Sequence, residues 1–534
     1  MTKPCQYCDY IPDPNLCNPA DACESCRELA EVEEQIRKTL IHLAKERQRL
    51  KEKINHTHDR MIHRLPVEVA SIIFEFCVTG CRNGVIGADL SRSSRYTISA
   101  PFILSAVCRQ WRMIVHSTPQ LWNTLLLYAR PNYLLPPNLV EHSIDHSGDL
   151  PLSINIYFPS YFAQNSVDHI IDVLNRYTHR WSQMKYIGPS DTFMKLASSN
   201  QDLPQLHTLY INPLNDTSHD PSRSEAIKLN SKRLSCLKLF YAVRLGVQDL
   251  GLNLQYLKKV ELLYTTLYEC LDVLRKAPGL RECTFMAENL RDVVRSSDAL
   301  PLPRNIVIQP EMYSLDISGS ILHSSILKEL TCPSLTTLTL RFRGEKVDMP
   351  LILKFLVASG CCLERLSLIY AELSTQDVTA LCKTLPTSLQ YLHIYHHRSL
   401  PSIRALFEYL GEFTLVNGVQ LPRYLLTLRS LFIEEDSSQK DWSHWLLLPK
   451  IFGTPAIDSY ATQRHRHQLK SVVISVKYRW SRPAVPRYIE AESEAMKRIL
   501  WLYHQEGVNF GLGMRLPKYD RNGNIIEEVD EDFS

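Results

Sequence analysis

The 534-residue sequence lacks any apolar run close to the roughly 20 residues that a membrane-spanning helix needs. Residues 1–14 are polar and rich in cysteine and proline, without the apolar core of a secretory signal peptide. Because there is no export signal, we do not expect the 15 cysteines to form a disulfide framework. The expectation is a soluble protein of the cytoplasm, the nucleus or both, with no membrane partner.

An excess of charge of one sign is also missing. The chain has 60 Lys and Arg against 57 Asp and Glu, a formal net charge of +3 at pH 7. Such a balance gives no general electrostatic attraction to nucleic-acid phosphates or to an anionic membrane. We therefore expect no nucleic-acid partner. The hydrophobic fraction of 45% and the charged fraction of 22% are typical of a chain that folds into packed domains.

The motifs of several common enzyme classes are absent as well. The sequence has no Gly-rich phosphate loop, no Gly-x-Ser-x-Gly and no His-Glu-x-x-His. Its carboxylates and histidines are scattered, without a local pair of nucleophile and base. Catalytic residues can converge from distant positions, so missing motifs do not exclude catalysis. The expectation is nevertheless a protein that is not an enzyme and has no catalytic residues.

Two Cys-x-x-Cys pairs lie near the amino terminus, at Cys5 and Cys8 and at Cys23 and Cys26. Four thiolates can bind zinc tetrahedrally, and the gap between the pairs is just under the roughly 15–20 residues of a common zinc pattern. Two interpretations stay open: a zinc site at these four cysteines, or a metal-free tail that contains them. Zinc is the only cofactor that the sequence suggests.

A charged segment, residues 29–62, follows the cysteines. Leu29, Ile36, Leu43 and Leu50 recur every seven residues, with mixed charges between them and no Pro or Gly up to residue 54. This spacing predicts a helix with a heptad-like seam. The helix either joins two copies of the chain as a coiled coil through residues 29–54, or lies on the following domain with its charged face in water.

Two short apolar segments come next. The first reads Leu65-Pro66-Val67-Glu68-Val69 and continues to Phe74 at helical spacing. The second runs from Leu104 through Val107, Cys108 and Trp111 along one predicted helical face, and Pro119-Gln120-Leu121-Trp122 closes it. Between them, residues 78–101 are rich in Gly, Ser and Arg, which predicts a flexible inserted loop.

This order of residues resembles an F-box, the adaptor-binding module of SCF-type ubiquitin ligases, over residues 65–122. The inserted loop resembles those in F-box proteins of mushroom-forming (basidiomycete) fungi. The resemblance implies a helical module that docks on a Skp-type adaptor and, through it, on a cullin. The residues that it implies for adaptor binding are Leu65, Pro66, Glu68, Val69, Ile72, Ile73, Phe74, Val107, Cys108, Trp111 and Trp122. Some of them face the adaptor and others hold the helices together, and the sequence does not separate the two roles.

A pattern of the form Leu-x-x-Leu-x-Leu, with substitutions, recurs through the rest of the chain. It starts at Leu206, Leu234, Leu257, Leu280, Met312, Leu335, Leu363, Leu389, Leu428 and Leu469, with a weaker start at Trp181. From the first to the eighth start the spacing is close to the roughly 20–29 residues of a leucine-rich repeat. Each unit predicts a short strand with alternate residues inward, and segments 267–276, 351–357 and 374–385 predict helices between strands.

This pattern resembles the irregular leucine-rich repeats of F-box receptors. The implied fold class is α/β, with an N-terminal helix and a helical F-box followed by an irregular leucine-rich-repeat solenoid of parallel strands with helical returns. The expected outward-facing contacts for a target are Tyr210, Lys238, Arg341, Tyr370 and Tyr395. The predicted domains are a Cys-rich segment (1–28), the charged helix or coiled coil (29–62), the F-box (63–124), the repeat-like domain (125–480), and a C-terminal helix with an acidic tail (481–534). We expect the acidic end of that tail, residues 527–532, to be solvated and disordered.

Together these resemblances imply a substrate receptor for ubiquitin-dependent degradation. In that role the F-box binds the Skp-type adaptor of an SCF ligase, and the repeats bind an unknown target protein. The alternative is a leucine-rich-repeat scaffold that binds its partners outside any ligase.

Overall fold

The computed structural model describes residues 24–58, 65–83, 99–128, 137–158, 164–197, 202–214, 229–240, 247–248, 250–286, 306–342, 346–396, 400–416, 419–436, 447, 451, 469–477, 509–519 and 525–532. The chain divides into two compact units. Unit 1 comprises Met1–Leu126 with Glu141–Leu150, and unit 2 comprises Leu127–Val140 with Pro151–Ser534.

Unit 1 is mainly helical in its described part. Its helices are α1 Glu24–His58, α2 Val67–Asn83, α3 Ser99–Val107 and α4 Arg109–His116, together with the second half of α5, Pro137–His146. Helix α2 contacts both α3 and α4. The buried core of these helices is formed by Ala70, Phe74, Val78, Ile114, Val115, Leu121 and Trp122, with Phe102, Leu104 and Trp111 packed against it. Residues 84–98, most of the predicted inserted loop, lie outside the described residues, and the loop's first residues continue α2.

Helix α1 is 35 residues long and highly charged. Two exposed ion pairs lie along it, Glu34 with Arg37 and Glu46 with Arg49, each at 2.6 Å. The seam residues Leu29, Ile36, Leu43 and Leu50 are all exposed, so the rest of the described chain does not cover them. Among the described residues, no helix combines the length and the apolar composition that crossing a membrane requires.

The remaining elements alternate strands with helices. The strands are β1 Thr124–Tyr128, β2 Leu152–Tyr157, β3 Trp181–Pro189, β4 Thr208–Leu214, β5 Cys236–Phe240, β6 Lys259–Leu263, β7 Glu282–Met286, β8 Val307–Ile308, β9 Ser314–Ser318, β10 Leu330–Thr331, β11 Thr337–Arg341, β12 Arg365–Ala371, β13 Tyr391–His396, β14 Phe413–Val416, β15 Val419–Pro422, β16 Ser430–Asp436, β17 Ser471–Lys477, β18 Asn509–Tyr519 and β19 Ile525–Asp532. The helices are α6 Gln164–Asn175, α7 Ser190–Ala197, α8 Leu267–Lys276, α9 Ser320–Glu329, α10 Met349–Ser359, α11 Thr375–Thr384 and α12 Leu400–Leu410.

One 15-stranded sheet runs in the order β1, β2, β3, β4, β5, β6, β7, β9, β11, β12, β13, β16, β17, β18, β19. From β2 to β18 every neighbouring pair of strands is parallel. A strand lies within or directly after each of the eleven repeat starts that the sequence predicts. The prediction of an α/β fold built on parallel strands is therefore confirmed at this level.

The register explains why the leucine positions of successive repeats matter. Neighbouring strands place equivalent residues opposite each other, so the alternate inward residues form continuous rows. One buried row contains Leu209, Leu237, Val260, Cys283, Leu315, Leu338, Leu366, Leu392 and Leu431. The second contains Ile211, Leu239, Leu262, Phe285, Ile317, Leu340, Leu368, Ile394 and Ile433. Each strand buries two or three apolar side chains against its neighbours, which a single strand could not do.

The helices between strands begin and end at residues suited to those positions. Thr266 and Glu269 form a capping box at the start of α8, and Ser374 and Asp377 form one at the start of α11. Each box satisfies two backbone N–H groups that the first turn leaves without a helical partner. Helix α10 ends at Gly360, whose φ of 57° lies in the left-handed region that favours glycine.

The acidic end of the chain differs from its prediction. The sequence predicts a solvated, disordered tail there, but β19 contains these acidic residues and pairs antiparallel with β18. An open edge strand leaves backbone N–H and C=O groups unpaired, and a following strand can satisfy them whatever its charge. The preceding segment 478–508, where the sequence predicts a helix, lies outside the described residues.

Candidate protein-binding surfaces

Helix α2 carries apolar side chains on two opposite faces. Ala70, Phe74 and Val78, spaced four residues apart, are buried in the core of unit 1. Val69, Ile72, Ile73 and Phe76 follow the spacing i, i+3, i+4 and i+7 and are all exposed. Residues at this spacing share one side of a helix. We call these four residues the α2 stripe.

The exposure of the α2 stripe is large for an apolar surface. Ile72 is 51% exposed and Phe76 is 74% exposed. Scattered apolar residues are ordinary on a protein surface, whereas four on one helical face form a contiguous patch of the kind that marks interaction sites. Helix α3 carries a second such pair, since Ile103 and Val107 are four residues apart and both exposed.

The aromatic residues of the motif have the opposite environment. The Phe74 ring lies 4.9 Å from the Trp111 ring between centroids, and the Phe102 ring lies 5.1 Å from the buried Trp122 in an edge-to-face arrangement. Trp122 Nε1 donates a hydrogen bond of 2.8 Å to the carbonyl of Val115. These contacts join α2, α3 and α4, so Phe74, Trp111 and Trp122 are placed to hold the helices together.

The second apolar segment is two helices where the sequence predicts one helical face. Cys108 separates α3 from α4 with extended backbone angles, φ −156° and ψ 172°. Its Sγ accepts a hydrogen bond of 3.5 Å from the backbone N–H of Trp111, which caps the amino-terminal end of α4. A helix cap needs a side-chain acceptor and a non-helical backbone. The spacing of apolar residues carries no information about either feature, so it could not predict the break at Cys108.

The remaining motif residues lie at the start of α2. Leu65 is half-buried, whereas Pro66 and Glu68 are exposed. The carbonyl of Pro66 accepts the N–H of Ala70 at 3.1 Å, so Pro66 lies one residue ahead of the helix. Ser71 and Thr118 share a hydrogen bond of 2.9 Å between hydroxyl oxygens, which connects α2 to the segment after α4.

The sheet presents a mixed polar row on its outward side. The row contains Lys185, Tyr210, Lys238, Glu261, Thr284, Asp316, Thr339, Ser367, His393 and Phe432, which lie in register and are half-buried. We call it the outward row. Its first members form a basic and aromatic group, because Lys185 Nζ lies 5.0 Å and Lys238 Nζ 5.7 Å from the centroid of the Tyr210 ring. Burial, and then the charge of Lys238, lower the pKa of Lys185.

Cross-strand ion pairs continue along this side of the sheet. Lys238 pairs with Glu261, and Lys259 pairs with Glu282 at 2.7 Å. The hydrogen bond from Lys259 is the largest cause that lowers the pKa of the Glu282 carboxyl. Arg341 pairs with Asp316 at 3.0 Å. Of the residues expected to face outward, Tyr210, Lys238 and Arg341 are therefore partly exposed but already engaged with neighbours.

The other two expected contacts, Tyr370 and Tyr395, form a tilted ring pair with centroids 4.3 Å apart. Tyr395 is only 5% exposed, so the prediction that it is an exposed contact for a target is wrong. The Tyr370 ring packs against Tyr395 because the backbone is irregular at Tyr370, which has a φ of 54° and lies where the register between β12 and β13 shifts, between Ile369 and Ala371. The backbone leaves the strand alternation there, and with it the rule that assigns alternate residues to opposite faces.

The structure does not describe the predicted zinc site at the amino-terminal cysteines. Cys5, Cys8 and Cys23 lie outside the described residues. Cys26 falls within α1, but its side chain is outside the described set. The zinc site therefore stays a prediction.

The structure brings together three histidines, His116, His142 and His146, that the sequence does not predict as a group. Their ligand nitrogens lie within 4.8 Å of one another. Burial, and then the neighbouring His146, lower the pKa of both His116 and His142. The His-x-x-x-His spacing of the last two is visible in the sequence, but the approach of His116 depends on how α4 packs beside α5. We call these residues the histidine cluster.

No protein-family model matches this chain, and no curated protein matches it either. The motif residues and the surfaces described above are therefore the features that point to a function.

Proposed function

We propose that this protein is an F-box substrate receptor that links a target protein to a Skp-type adaptor and a cullin in an SCF ubiquitin ligase. The motif over residues 65–122 supports the adaptor-binding half of this proposal. The succession of parallel strands in the second half of the chain supports the target-binding half. The mechanism needs binding surfaces and no bond-making side chains.

The observation that carries the proposal is the α2 stripe. Helix α2 already buries Ala70, Phe74 and Val78, so its own fold does not require a second apolar face. Val69, Ile72 and Ile73, which the motif assigns to adaptor binding, lie on that second face in water. Burying an apolar face against a partner is favourable by about 25 cal/mol per Å² of apolar surface removed from water. The occupant that the motif indicates is the Skp-type adaptor.

The proposed target-binding element is an irregular leucine-rich-repeat solenoid. Rows of apolar residues in register and helices between strands are the features that such repeats share. The outward row offers side chains with both charges together with aromatic rings, which suits recognition of a protein surface. The basic group around Tyr210 and the acidic residues that follow would favour a target with the reverse order of charge.

In this mechanism the receptor accelerates ubiquitin transfer by raising local concentration. Binding adaptor and target on one chain makes their encounter intramolecular, which raises the effective concentration of target lysines near the loaded ubiquitin carrier. The chemistry belongs to the other components of the ligase. Irregular repeats alone would serve equally well as a scaffold outside a ligase, so the presence of the cullin is the discriminating observation.

The test is co-purification of the full chain with a Skp-type adaptor and a cullin expressed in the same cells. We expect both partners to be recovered with the wild-type chain. Both should be lost in the double variant Ile72→Ser with Phe76→Ser. Adaptor recovered without cullin would support the scaffold function. If neither partner is recovered, or if the double variant retains both, the receptor proposal fails.

A matched control is available in unit 2. Val357 is 71% exposed on helix α10, outside the proposed adaptor surface. The Val357→Ser variant removes a comparable exposed apolar side chain from another helix, and it is expected to recover adaptor and cullin as the wild type does.

A further inference from the structure

We propose that His116, His142 and His146 form a binding site for a divalent transition-metal ion, with zinc the best match. Imidazole nitrogen is a preferred ligand for zinc, copper, cobalt and nickel, whereas calcium and magnesium prefer oxygen. The site shares no residue with the amino-terminal cysteines or with the α2 stripe.

The geometry of the cluster is close to that of a bound set. Ring centroids are 4.1 Å apart for His142 and His146, 4.5 Å for His116 and His146, and 5.8 Å for His116 and His142. Ligand nitrogens around a tetrahedral zinc ion with bonds of about 2.0 Å are roughly 3.3 Å apart. The three nitrogens here lie within 4.8 Å, so small side-chain rotations bring them to that spacing.

One of the rings is already oriented for metal binding. The Nδ1 atom of His146 lies 2.9 Å from the carbonyl oxygen of His142, and in the tautomer that donates this bond Nε2 is left as the acceptor. Metal-ligating histidines usually donate their other N–H to such a carbonyl or to a carboxylate, which fixes both ring and tautomer. The Trp122 ring, with its centroid 5.1 Å from that of His146, packs beside the cluster and limits its movement.

The local field also favours a cation. His116 is the last residue of α4 and His146 is the last residue of α5. The carbonyl ends of two helices therefore converge near the cluster, and each carries a partial negative charge. Asp145 adds a favourable charge near His142, while Arg112 near His116 opposes it.

The ion would act as a clamp within unit 1. His116 and His142 lie on different helices, with 25 residues between them in the sequence, and one ion bound to both would tie α4 and α5 together. Three nitrogen ligands leave a fourth tetrahedral position for water or for a donor from outside the cluster. Metal binding to the folded state alone raises its stability by mass action.

The experiment titrates the full chain with Co²⁺, in a background in which Cys5, Cys8, Cys23 and Cys26 are changed to Ser. We expect saturable binding of one ion with nitrogen-type spectra and no thiolate charge-transfer band. We expect His142→Gln combined with His146→Gln to weaken binding by at least about tenfold, since these changes remove two ligands. His169→Gln, at an exposed histidine on α6, is the matched control and should bind as the background does.

Absence of saturable binding in the background chain, or equal binding in the double histidine variant, would overturn the proposal. A second measurement uses only the wild-type chain, in case the variants fold poorly. Diethyl pyrocarbonate modifies accessible histidines, and peptide mapping reports which ones react. Saturating Zn²⁺ is expected to protect His116, His142 and His146 and to leave His169 reactive, whereas unchanged reactivity of the cluster would count against the site.

Discussion

Phe74 and Ile72 lie two residues apart on α2 and have opposite environments. The first is buried at 1% exposure in contact with Trp111, whereas half of the second is in water. Both are apolar, so the periodicity of the sequence could predict a helix here without assigning either face. The packing of α3 and α4 against one face separates the residues that stabilise unit 1 from those available to a partner.

This difference predicts that substitutions at Phe74 and Ile72 change the free energy of unfolding by very different amounts. Phe74→Ala should lower the free energy of unfolding of unit 1 by about 3–5 kcal/mol, because it removes a large buried ring and leaves a cavity. Ile72→Ser should change it by no more than about 0.5 kcal/mol, because its side chain makes few contacts in the free protein. Denaturant unfolding followed by tryptophan fluorescence compares the two. Equal destabilisation would contradict the assignment of the two faces.

Buried thiols supply a second residue-scale prediction, about pH. Burial raises the pKa of Cys332 and of Cys382 to about 12 in the folded protein. An unfolded thiol ionises near pH 8.5, so above that pH the unfolded state binds fewer protons than the folded state. The free energy of unfolding should therefore fall as pH rises from about 8.5 towards 12, by up to about 1.4 kcal/mol per pH unit for each thiol.

The measurement is the midpoint of thermal unfolding between pH 8 and pH 11. Other groups that titrate in this range contribute to the slope, so the comparison is between variants. Cys382→Ala should make the decline with pH shallower, whereas Cys362→Ala, at an exposed thiol, should leave it unchanged. Parallel pH profiles for the wild type and Cys382→Ala would contradict the burial argument.

At the scale of elements, strands and caps followed local sequence rules. Alternation around Leu237 and Leu239 predicts β5, and the Thr266 capping box marks the start of α8. The strand β19 and the turn at Tyr370 did not follow them, because edge pairing and a left-handed backbone depend on neighbouring strands. The histidine cluster was missed for the same reason: His116 and His146 approach each other only through helix packing.

Helix α1 carries its own prediction. Its seam of Leu29, Ile36, Leu43 and Leu50 is exposed in the single chain, and a second copy of the helix would bury it by knobs-into-holes packing. We expect the full chain to be dimeric in sedimentation equilibrium and Leu43→Glu combined with Leu50→Glu to be monomeric. Ile41→Glu, at an exposed residue outside the seam, is the control and should leave the dimer intact. A monomeric wild-type chain would contradict the coiled-coil interpretation of α1 and support the single-helix interpretation.

At the scale of the whole molecule, the proposed receptor separates its two binding functions along the chain. The α2 stripe belongs to unit 1, and the outward row belongs to unit 2. The sequence could predict the parallel α/β architecture because each repeat has its own local pattern. It could not predict which residues of a binding surface are available, because Lys238, Arg341 and Tyr395 are engaged by residues from neighbouring repeats.

The most direct test of the receptor proposal is the dissociation constant of the purified full chain for a purified Skp-type adaptor. The proposal predicts saturable binding that weakens at least about tenfold in Ile72→Ser combined with Phe76→Ser, since buried apolar anchors carry much of the binding energy of an interface. Val357→Ser should bind with wild-type affinity. A wild-type chain that does not bind the adaptor, or a double variant that binds as tightly as the wild type, would contradict the proposal.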